Sequence, residues 1–243
     1  MHWVVALTTT PPARGLRARV REEMRDEILA SARRHLAEEG PAALSFRAVA
    51  RDVGLVSSAV YRYFPSRDAL LTTLIIESYD LLGEEVERAE SAVDRAAYGD
   101  RYRAVGRATR SWAVAEPQQW ALIYGSPVPG YVAPQDTVGP AIRAPRVLSM
   151  ILWDATRSGA LRAATDEAVP RQLHEALELR SVFPEPEVVA DDHLIRGMMA
   201  WTYILGSVTS QLFGQRHRVI AEHAQADVFD IELDRMVGLI GVS

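Results

Sequence analysis

The chain has 243 residues, of which 48% are hydrophobic, and its formal net charge is −5. This length and apolar content allow a substantial core in one or two domains. The absence of cysteine excludes disulfides, zinc–thiolate sites and cysteine nucleophiles. No apolar run approaches the roughly 18–20 residues that a membrane-spanning helix needs, so we expect no membrane partner. The absence of cysteine fits a cytoplasmic protein.

The charge is distributed unevenly along the chain. Residues 1–70 carry 11 arginines against 8 carboxylates, whereas residues 71–243 carry 16 arginines against 24 carboxylates. All basic residues are arginine, because the chain contains no lysine. This asymmetry predicts a mildly basic N-terminal region attached to an acidic body.

Hydrophobic periodicity predicts helices along the chain and no sheet, so we expect an all-α fold. We divide the chain into a flexible tail at 1–15, a first domain at 16–72 and a larger domain at 73–243. The first helix is predicted over 16–40, where apolar residues recur every four positions, at Val20, Met24, Ile28, Ala32 and Leu36. Two short helices follow, over 45–53 and 57–64, and Pro65-Ser66 begins a long helix that reaches roughly residue 89.

The two short helices are separated by Gly54, a residue suited to a sharp turn. Two short helices that lean on a longer one are typical of a helix-turn-helix unit. On the second short helix, Leu55, Val60 and Phe64 are predicted to face the core. The opposite face is polar and comprises Ser57, Ser58, Tyr61 and Arg62, with Ala59 and Tyr63 at its edges. Small residues let a helix approach base edges, while tyrosine and arginine suit phosphates, so this face favours DNA binding.

The segment GLVSSAVYRYFPSRDAL, residues 54–70, is similar to the pattern Gly-x-x-x-x-x-x-Tyr-x-x-Phe-x-x-Lys/Arg of the tetracycline-repressor (TetR) family. The resemblance covers residues from about 17 to 72. It implies that Arg47 reads a base and that Ser57, Ser58 and Ala59 lie nearest the bases. It also implies phosphate contacts by Ser45, Tyr61, Tyr63 and Arg67.

Three positions depart from the family pattern. Val56 replaces the usual Ser or Thr helix cap, so Ser57 is a candidate for that role. Tyr63 stands where histidine is frequent, and Pro65 where lysine is frequent. These departures keep open a second hypothesis, in which the chain is a ligand-sequestering or protein-interaction module without specific DNA binding.

Four arginines precede or begin the first helix: Arg14, Arg17, Arg19 and Arg21. Arms before a DNA-binding domain can enter the minor groove. Because Arg17 and Arg21 lie one helical turn apart near Glu22 and Asp26, a solvated helix face is the alternative.

In the larger domain, helices are predicted near 100–115, 117–124, 142–158, 167–180, 190–213 and 224–240. Five prolines and several glycines in 125–145 predict a long loop there. The segment at 116–134 is similar to part of one group of TetR-type C-terminal domains. The family resemblance implies a pocket for a small, partly apolar ligand, for which the candidate residues are Trp112, Trp120, Tyr124, Arg146, Met150, Trp153, His174 and Trp201. Plain core packing is the alternative for each aromatic residue.

Two apolar helix stripes predict a dimer interface. The first comprises Leu194, Met198, Leu205, Val208 and Leu212, and the second comprises Phe229, Leu233, Met236, Val237 and Ile240. Two such helices from each subunit would form a four-helix interface, which the family uses. A two-fold dimer would present its recognition helices to successive major grooves of a roughly palindromic site.

The sequence gives no support for catalysis or for a metal. His217 and His223 are six residues apart and do not share a helix face. The chain has no nucleophile elbow, P-loop or dinucleotide fingerprint. We therefore expect no enzyme and no cofactor, but a dimeric, ligand-responsive transcriptional regulator, in the first place a repressor.

Overall fold

The computed structural model describes residues 15–40, 44–162 and 190–242. These residues form helices joined by turns and loops and contain no strand, which confirms the all-α fold class. The chain divides into two compact units, the first ending at Leu71 and the second beginning at Thr72. The fourth helix is continuous across this division.

The first unit contains α1 (Leu16–Glu39), α2 (Phe46–Asp52) and α3 (Ser57–Val60). Its core is formed by apolar residues from all three helices and the segments that follow them: Ile28, Leu29, Ala32, Leu36, Leu44, Phe46, Val49, Ala50, Ala59, Val60, Phe64, Leu70 and Leu71. The predicted stripe on α1 is therefore buried from Ile28 onwards. Val20, at its N-terminal end, is 52% exposed.

The connection between α2 and α3 is a tight turn. Gly54 has a φ of 68°, a left-handed conformation that glycine adopts without steric penalty. The Leu55 amide donates to the Ala50 carbonyl at 2.8 Å, which closes the turn. After α3 the chain turns through residues 61–63. The Ser66 hydroxyl then accepts a 3.0 Å hydrogen bond from the Ala69 amide and caps α4 (Arg67–Ser91), as the sequence predicts.

The helices of the second unit follow the predicted order within the described residues. They are α5 (Tyr98–Ala115), α6 (Pro117–Tyr124), α7 (Val138–Ala141), α8 (Arg143–Arg157), α9 (Asp191–Leu212) and α10 (Gln225–Ile240). The proline-rich segment is more regular than predicted, since it holds a 3₁₀ turn at Gln135–Thr137 and α7. The helix predicted at 167–180 lies outside the described residues.

α5 is the central helix of the second unit and contacts α6, α8, α9 and α10. Gly106 allows α10 to approach closely, because a Cβ atom there would lie 2.6 Å from a methyl carbon of Leu233. Within the ranges described, no helix is both long and apolar enough to cross a membrane.

Candidate functional site

The predicted polar residues lie on α3 and on the turn at 61–63 that follows it. Ser58, Tyr61 and Arg62 are exposed, whereas Ser57 and Tyr63 are half-buried. The Tyr61 ring rests edge-on against Phe46, with 4.9 Å between ring centroids, and still leaves 55% of the residue exposed. Val60 and Phe64 point into the core as predicted, while Leu55 is half-buried. The short helix thus presents hydroxyl groups and one guanidinium from a rigid base.

The position of Ala59 differs from the one that the sequence predicts. It is only 5% exposed, because α3 is a single turn and buries both Ala59 and Val60 where it meets α2. Placing Ala59 at the edge of the exposed face is therefore wrong. Its methyl group is part of the core and leaves little surface for a base.

Position 56 is the N-cap of α3, and it contributes no side-chain cap. Val56 is 70% exposed, an unusual environment for valine. Ser57 does not replace the missing cap, since it is the first residue of the helix itself. The helix is held instead by its packing on α2 and by backbone bonds, including one from the Phe64 amide to the Val60 carbonyl at 3.0 Å.

The remaining predicted DNA-binding residues lie on α2 and at the start of α4. Arg47 is exposed, and within the described chain its guanidinium makes no hydrogen bond or ion pair. Ser45 is the N-cap residue of α2, but its side chain makes no capping bond. Arg67 is half-buried and donates from Nε to the Leu44 carbonyl at 3.1 Å, so part of its donor capacity holds the unit together.

A polar cluster links α2 to α1, with Ser31 and His35 buried and Asp52 exposed. Asp52 Oδ2 lies 2.8 Å from His35 Nε2 and accepts a 3.0 Å hydrogen bond from the Ser31 hydroxyl. The Ser31 bond, with the bond to His35, lowers the pKa of Asp52 below its ordinary value. Since Arg47 lies on the same short helix as Asp52, this cluster also sets the orientation of a predicted base-reading residue.

Comparison with known proteins decides the family. The chain matches the family described as bacterial regulatory proteins, tetR family, over residues 28–74, and the tetracyclin repressor-like C-terminal domain over residues 102–236. The HTH-type transcriptional regulators Rv1816 of Mycobacterium tuberculosis and Mb1846 of Mycobacterium bovis are each 39% identical to it over 204 residues. That alignment covers 83% of this chain and 86% of the relative. The chain belongs to the TetR family of transcriptional regulators.

Solved structures agree with this assignment. The regulatory protein SCO4313 has a TM-score of 0.72 and 30% identity, and the match covers 94% of this chain and all of that one. The transcriptional regulator FadR from Bacillus subtilis, solved with stearoyl-CoA, has a TM-score of 0.61 at 13% identity, covering 89% of this chain and 97% of FadR. At that identity the likeness shows a shared fold. As a TetR-family regulator, the chain is a helix-turn-helix DNA-binding protein and belongs to a family of regulators, not of enzymes.

The predicted ligand-pocket residues of this TetR-family regulator do not all meet. Trp120 is fully buried, and its ring centroid lies 4.6 Å from that of the tilted Tyr124 ring. The Tyr124 centroid in turn lies 6.5 Å from that of Trp201. The indole nitrogen of Trp120 donates to the Thr209 hydroxyl at 3.2 Å, which fixes this aromatic row. Trp112 is buried in the same core.

The other candidates lie elsewhere. Arg146 and Met150 line a separate open groove among charged residues, including Glu90 and Arg95. Trp153 is buried, with the Arg157 guanidinium 5.7 Å from its ring centroid. The prediction that all candidates line one pocket is therefore wrong for Arg146, Met150 and Trp153. His174 lies outside the described residues.

An apolar cleft of about 80 Å³ lies between α8 and α9. Trp201 and Met198 line it, together with residues that the sequence analysis did not select: Pro145, Leu148, Ser149, Leu152, Leu194 and Gly197. Gly197 keeps α8 and α9 close, since a Cβ atom there would lie 2.5 Å from Leu152 Cδ1. The sequence signal that could have revealed this close approach is Gly197 itself, a glycine in the middle of a predicted helix.

The predicted dimer stripes prove to be mainly the core of the subunit. Six of their residues are buried within one chain: Leu194, Val208, Phe229, Leu233, Val237 and Ile240. For these six the interface prediction is wrong, because they are buried within one chain and a partner cannot reach them. Leu194 lines the α8–α9 cleft, and the other five belong to the core around α5. Leu205, Leu212 and Met236 also pack against this core, and Met198 is exposed at the α8–α9 cleft.

Other apolar residues occupy the exposed sides of α9 and α10. On α9 these are Met199 and, just past the helix end, Phe213; on α10 they are Ile231 and Leu239. Gly206 lies exposed on α9, and an added Cβ atom there would meet nothing within 4 Å. These residues stand outside the predicted stripes, so the periodicity that located the core passed over them.

Proposed function

We propose that this TetR-family regulator is a ligand-responsive repressor that binds a roughly palindromic operator as a homodimer and is released by a small, partly apolar molecule. The observation that carries the DNA part is the exposed polar side of α3, anchored on a buried core. A rigid helix that displays small polar residues suits base edges in the major groove. Its DNA target would place it in the cytoplasm.

The proposed DNA-binding side chains fall into two groups, those suited to base edges and those suited to phosphates. Arg47 is exposed and unpaired within the described residues, so its guanidinium is available to a guanine edge. Ser58 is also exposed and is a second candidate for a base contact. Tyr61 and Arg62 are placed further along the chain and suit phosphates, with Ser45, Tyr63 and Arg67 as additional phosphate contacts. Ser57 is half-buried and would contact DNA through its hydroxyl edge.

The dimer would use the exposed sides of α9 and α10. Met199, Phe213, Ile231 and Leu239 are large apolar residues that a partner would bury, and Gly206 permits close helix approach. A two-fold axis through such an interface pairs two recognition helices with two half-sites.

The ligand would enter the apolar cleft between α8 and α9. Its volume of about 80 Å³ is well below the roughly 300–1,000 Å³ of ordinary small-molecule sites. A ligand therefore has to separate α8 from α9, and it would bind an opened state more tightly than a closed one. Release from DNA follows if the opened state has lower operator affinity, and a hundredfold preference corresponds to about 2.7 kcal/mol of coupling.

Replacing Arg47 with alanine tests the DNA-binding proposal. The variant is expected to lose discrimination at one base pair of each half-site by about 1–3 kcal/mol, roughly fivefold to 150-fold in relative affinity. A binding selection from random duplexes, run for wild type and variant, measures this. Arg34→Ala on α1 is the control, since it removes an exposed arginine outside the helix-turn-helix. Unchanged base preference for Arg47→Ala would favour the interaction-module alternative.

Filling the cleft tests the ligand proposal. Met198 is 39% exposed at the cleft, so Met198→Trp is expected to occupy it without disturbing the core. Ligands that release the wild-type protein from DNA, found by screening apolar carboxylates and alcohols, should need at least about tenfold higher concentration with the variant. Operator affinity without ligand should stay within about twofold. Val132→Trp, on an exposed loop, is the matched control. Equal release of Met198→Trp and wild type would place the ligand elsewhere.

A further inference from the structure

An open groove of about 470 Å³ lies on the first unit, beside the end of the recognition helix. Its walls are Arg17, Val20 and Arg21 from the first turns of α1, and Arg62 and Tyr63 from the turn after α3. The groove therefore joins the N-terminal arginines to two residues already assigned to phosphates. The sequence alone left these arginines undecided between a DNA-binding arm and a solvated face.

Arg21 fixes α1 against the recognition helix. Its Nη2 donates to the Arg62 carbonyl at 3.2 Å, and its guanidinium carbon lies 5.9 Å from the Tyr63 ring centroid. Carbonyls at a helix C-terminus lack partners within the helix, so this bond satisfies one of them. The start of α1 is thereby held beside the side chains that follow α3.

Arg17 brings a positive charge that the described residues do not neutralise. It is exposed and makes no hydrogen bond or ion pair in the part of the chain that the structure describes. It precedes Arg21 by one helical turn, and Arg25 follows by another, with its guanidinium 5.1 Å from the Phe64 ring centroid. At 100° per residue these three arginines share one side of α1.

The acidic residues of the same helix lie on its other sides. Glu22, Glu23 and Asp26 are rotated by about 100° or more from the Arg17–Arg21 direction, and Arg19 lies among them. The groove thus gathers three arginines, a tyrosine hydroxyl and one exposed valine. Guanidinium groups bind phosphate in a bidentate manner, and a valine methyl suits the apolar face of a deoxyribose.

We propose that this groove is a second DNA-backbone site, in which Arg17 and Arg62 bind a phosphate flanking each half-site while Arg21 positions both. The inference rests on the proposed operator binding and extends the interface from the helix-turn-helix onto α1. Because phosphate carries no base identity, the site sets affinity, register and salt dependence but leaves sequence preference unchanged.

Arg17→Ala is a clean probe of this site, because Arg17 has no intramolecular partner among the described residues that its loss would orphan. Arg19→Ala is the matched control, with the same charge change on the same helix but on the acidic side. The DNA is a duplex enriched by the wild-type full-length protein from random sequences. A set of such duplexes carries a neutral methylphosphonate in place of one phosphate at a time.

We expect Arg17→Ala to weaken binding about threefold to tenfold near 0.1 M salt and to reduce the salt slope by about 0.9 for each subunit engaged. Neutralising the flanking phosphate should weaken the wild type and Arg19→Ala by a similar factor, but should weaken Arg17→Ala by clearly less, because Arg62 alone then contacts that phosphate. Base preference in the selection should be the same for all three proteins.

Identical methylphosphonate profiles and salt slopes for Arg17→Ala and wild type would overturn this inference. The same holds if Arg19→Ala matches Arg17→Ala, since the effect would then be one of net charge. Failure of the wild type to enrich any sequence is a different result, because it contradicts operator binding itself.

Discussion

Asp52 is an exposed residue of α2 that bonds two buried polar residues of α1. It receives the Ser31 hydroxyl and faces His35, and both of these partners on α1 are buried. Without Asp52, Ser31 and His35 would keep polar atoms in the interior with fewer partners, which is costly. The orientation of α2, and with it that of Arg47, therefore depends on this carboxylate as well as on the apolar packing of α2.

The first residue-scale prediction concerns acid. The pKa of Asp52 is lowered in the folded protein, so its carboxylate stabilises the fold above the unfolded pKa near 3.8, and this contribution disappears as the pH falls through the folded value. Asp52→Ala should exchange amide hydrogens in residues 46–52 faster than wild type at pH 7. The difference should shrink as the pH falls below 3.8, because the wild-type carboxylate becomes protonated as the pH passes its lowered folded pKa.

Hydrogen exchange of the full chain, measured by mass spectrometry between pH 3 and 7, gives this comparison. Asp26→Ala removes an exposed carboxylate from α1 and serves as the control, with exchange in residues 46–52 like that of wild type. A pH-independent effect of Asp52→Ala would assign the loss to packing instead of charge.

At the scale of elements, a buried arginine joins three helices of the second unit. Arg101 on α5 is fully buried, with Nε 2.5 Å from Glu90 Oε1 on α4 and Nη2 2.8 Å from Asp154 Oδ2 on α8. The Nη2 contact is not aligned as a hydrogen bond and acts as an ion pair. Arg95 contacts the same two carboxylates at 2.6 and 2.8 Å. This ionic cluster ties the C-terminal end of α4 to α5 and α8.

Removing Arg101 should be strongly destabilising, because it takes a fully buried side chain from the interior and leaves the mostly buried Glu90 with Arg95 as its remaining ion-pair partner. We expect Arg101→Ala to cost about 3–5 kcal/mol in urea unfolding of the full chain. Arg107→Ala on the same helix breaks an exposed pair with Asp230 at 2.8 Å and should cost less than about 1 kcal/mol. The double variant Arg101→Met/Glu90→Leu should recover much of the loss. Equal costs for Arg101→Ala and Arg107→Ala would contradict this account.

The helices were predictable from sequence because the hydrophobic periodicity and the residues that begin or end a helix indicate the same boundaries. The α1 stripe, the turn at Gly54 and the Ser66 cap each mark an element locally, and all three are found. Whether each side chain faces the core, a partner or solvent could be decided only from the tertiary contacts. The apolar stripes of α9 and α10 were taken for a dimer interface, yet they cover α5, because periodicity reveals a buried face without revealing what buries it.

The same limit applies to the predicted sites. Ala59 occupies a position on α3 that a helical wheel places at an edge, but a helix of one turn is oriented by the α2 contact alone. Arg146 and Trp201 are both suitable pocket residues by type, yet they line different cavities. Residue type suggested the pocket candidates, but only the packing of α8 on α9 shows which cavity each candidate lines.

At the scale of the whole molecule, the proposed operator binding by two subunits would depend on the exposed sides of α9 and α10. Gly206→Arg combined with Ile231→Arg places charge at the proposed contact and should yield a monomer by analytical ultracentrifugation. Since the second half-site is then no longer bound in the same complex, operator affinity should fall about a hundredfold or more. Val132→Arg, on an exposed loop, should remain dimeric and bind normally. A dimeric double variant would place the interface on another surface.

Sequence-specific DNA binding is the central claim, and fluorescence anisotropy tests it most directly. The full-length protein is titrated into a labelled duplex that it enriched from genomic fragments, and into a scrambled duplex of equal length, at two salt concentrations. We predict binding about a thousandfold tighter to the enriched duplex, with the preference preserved at the higher salt. Equal binding to both duplexes that disappears as salt rises would contradict the account and leave the first unit without sequence readout.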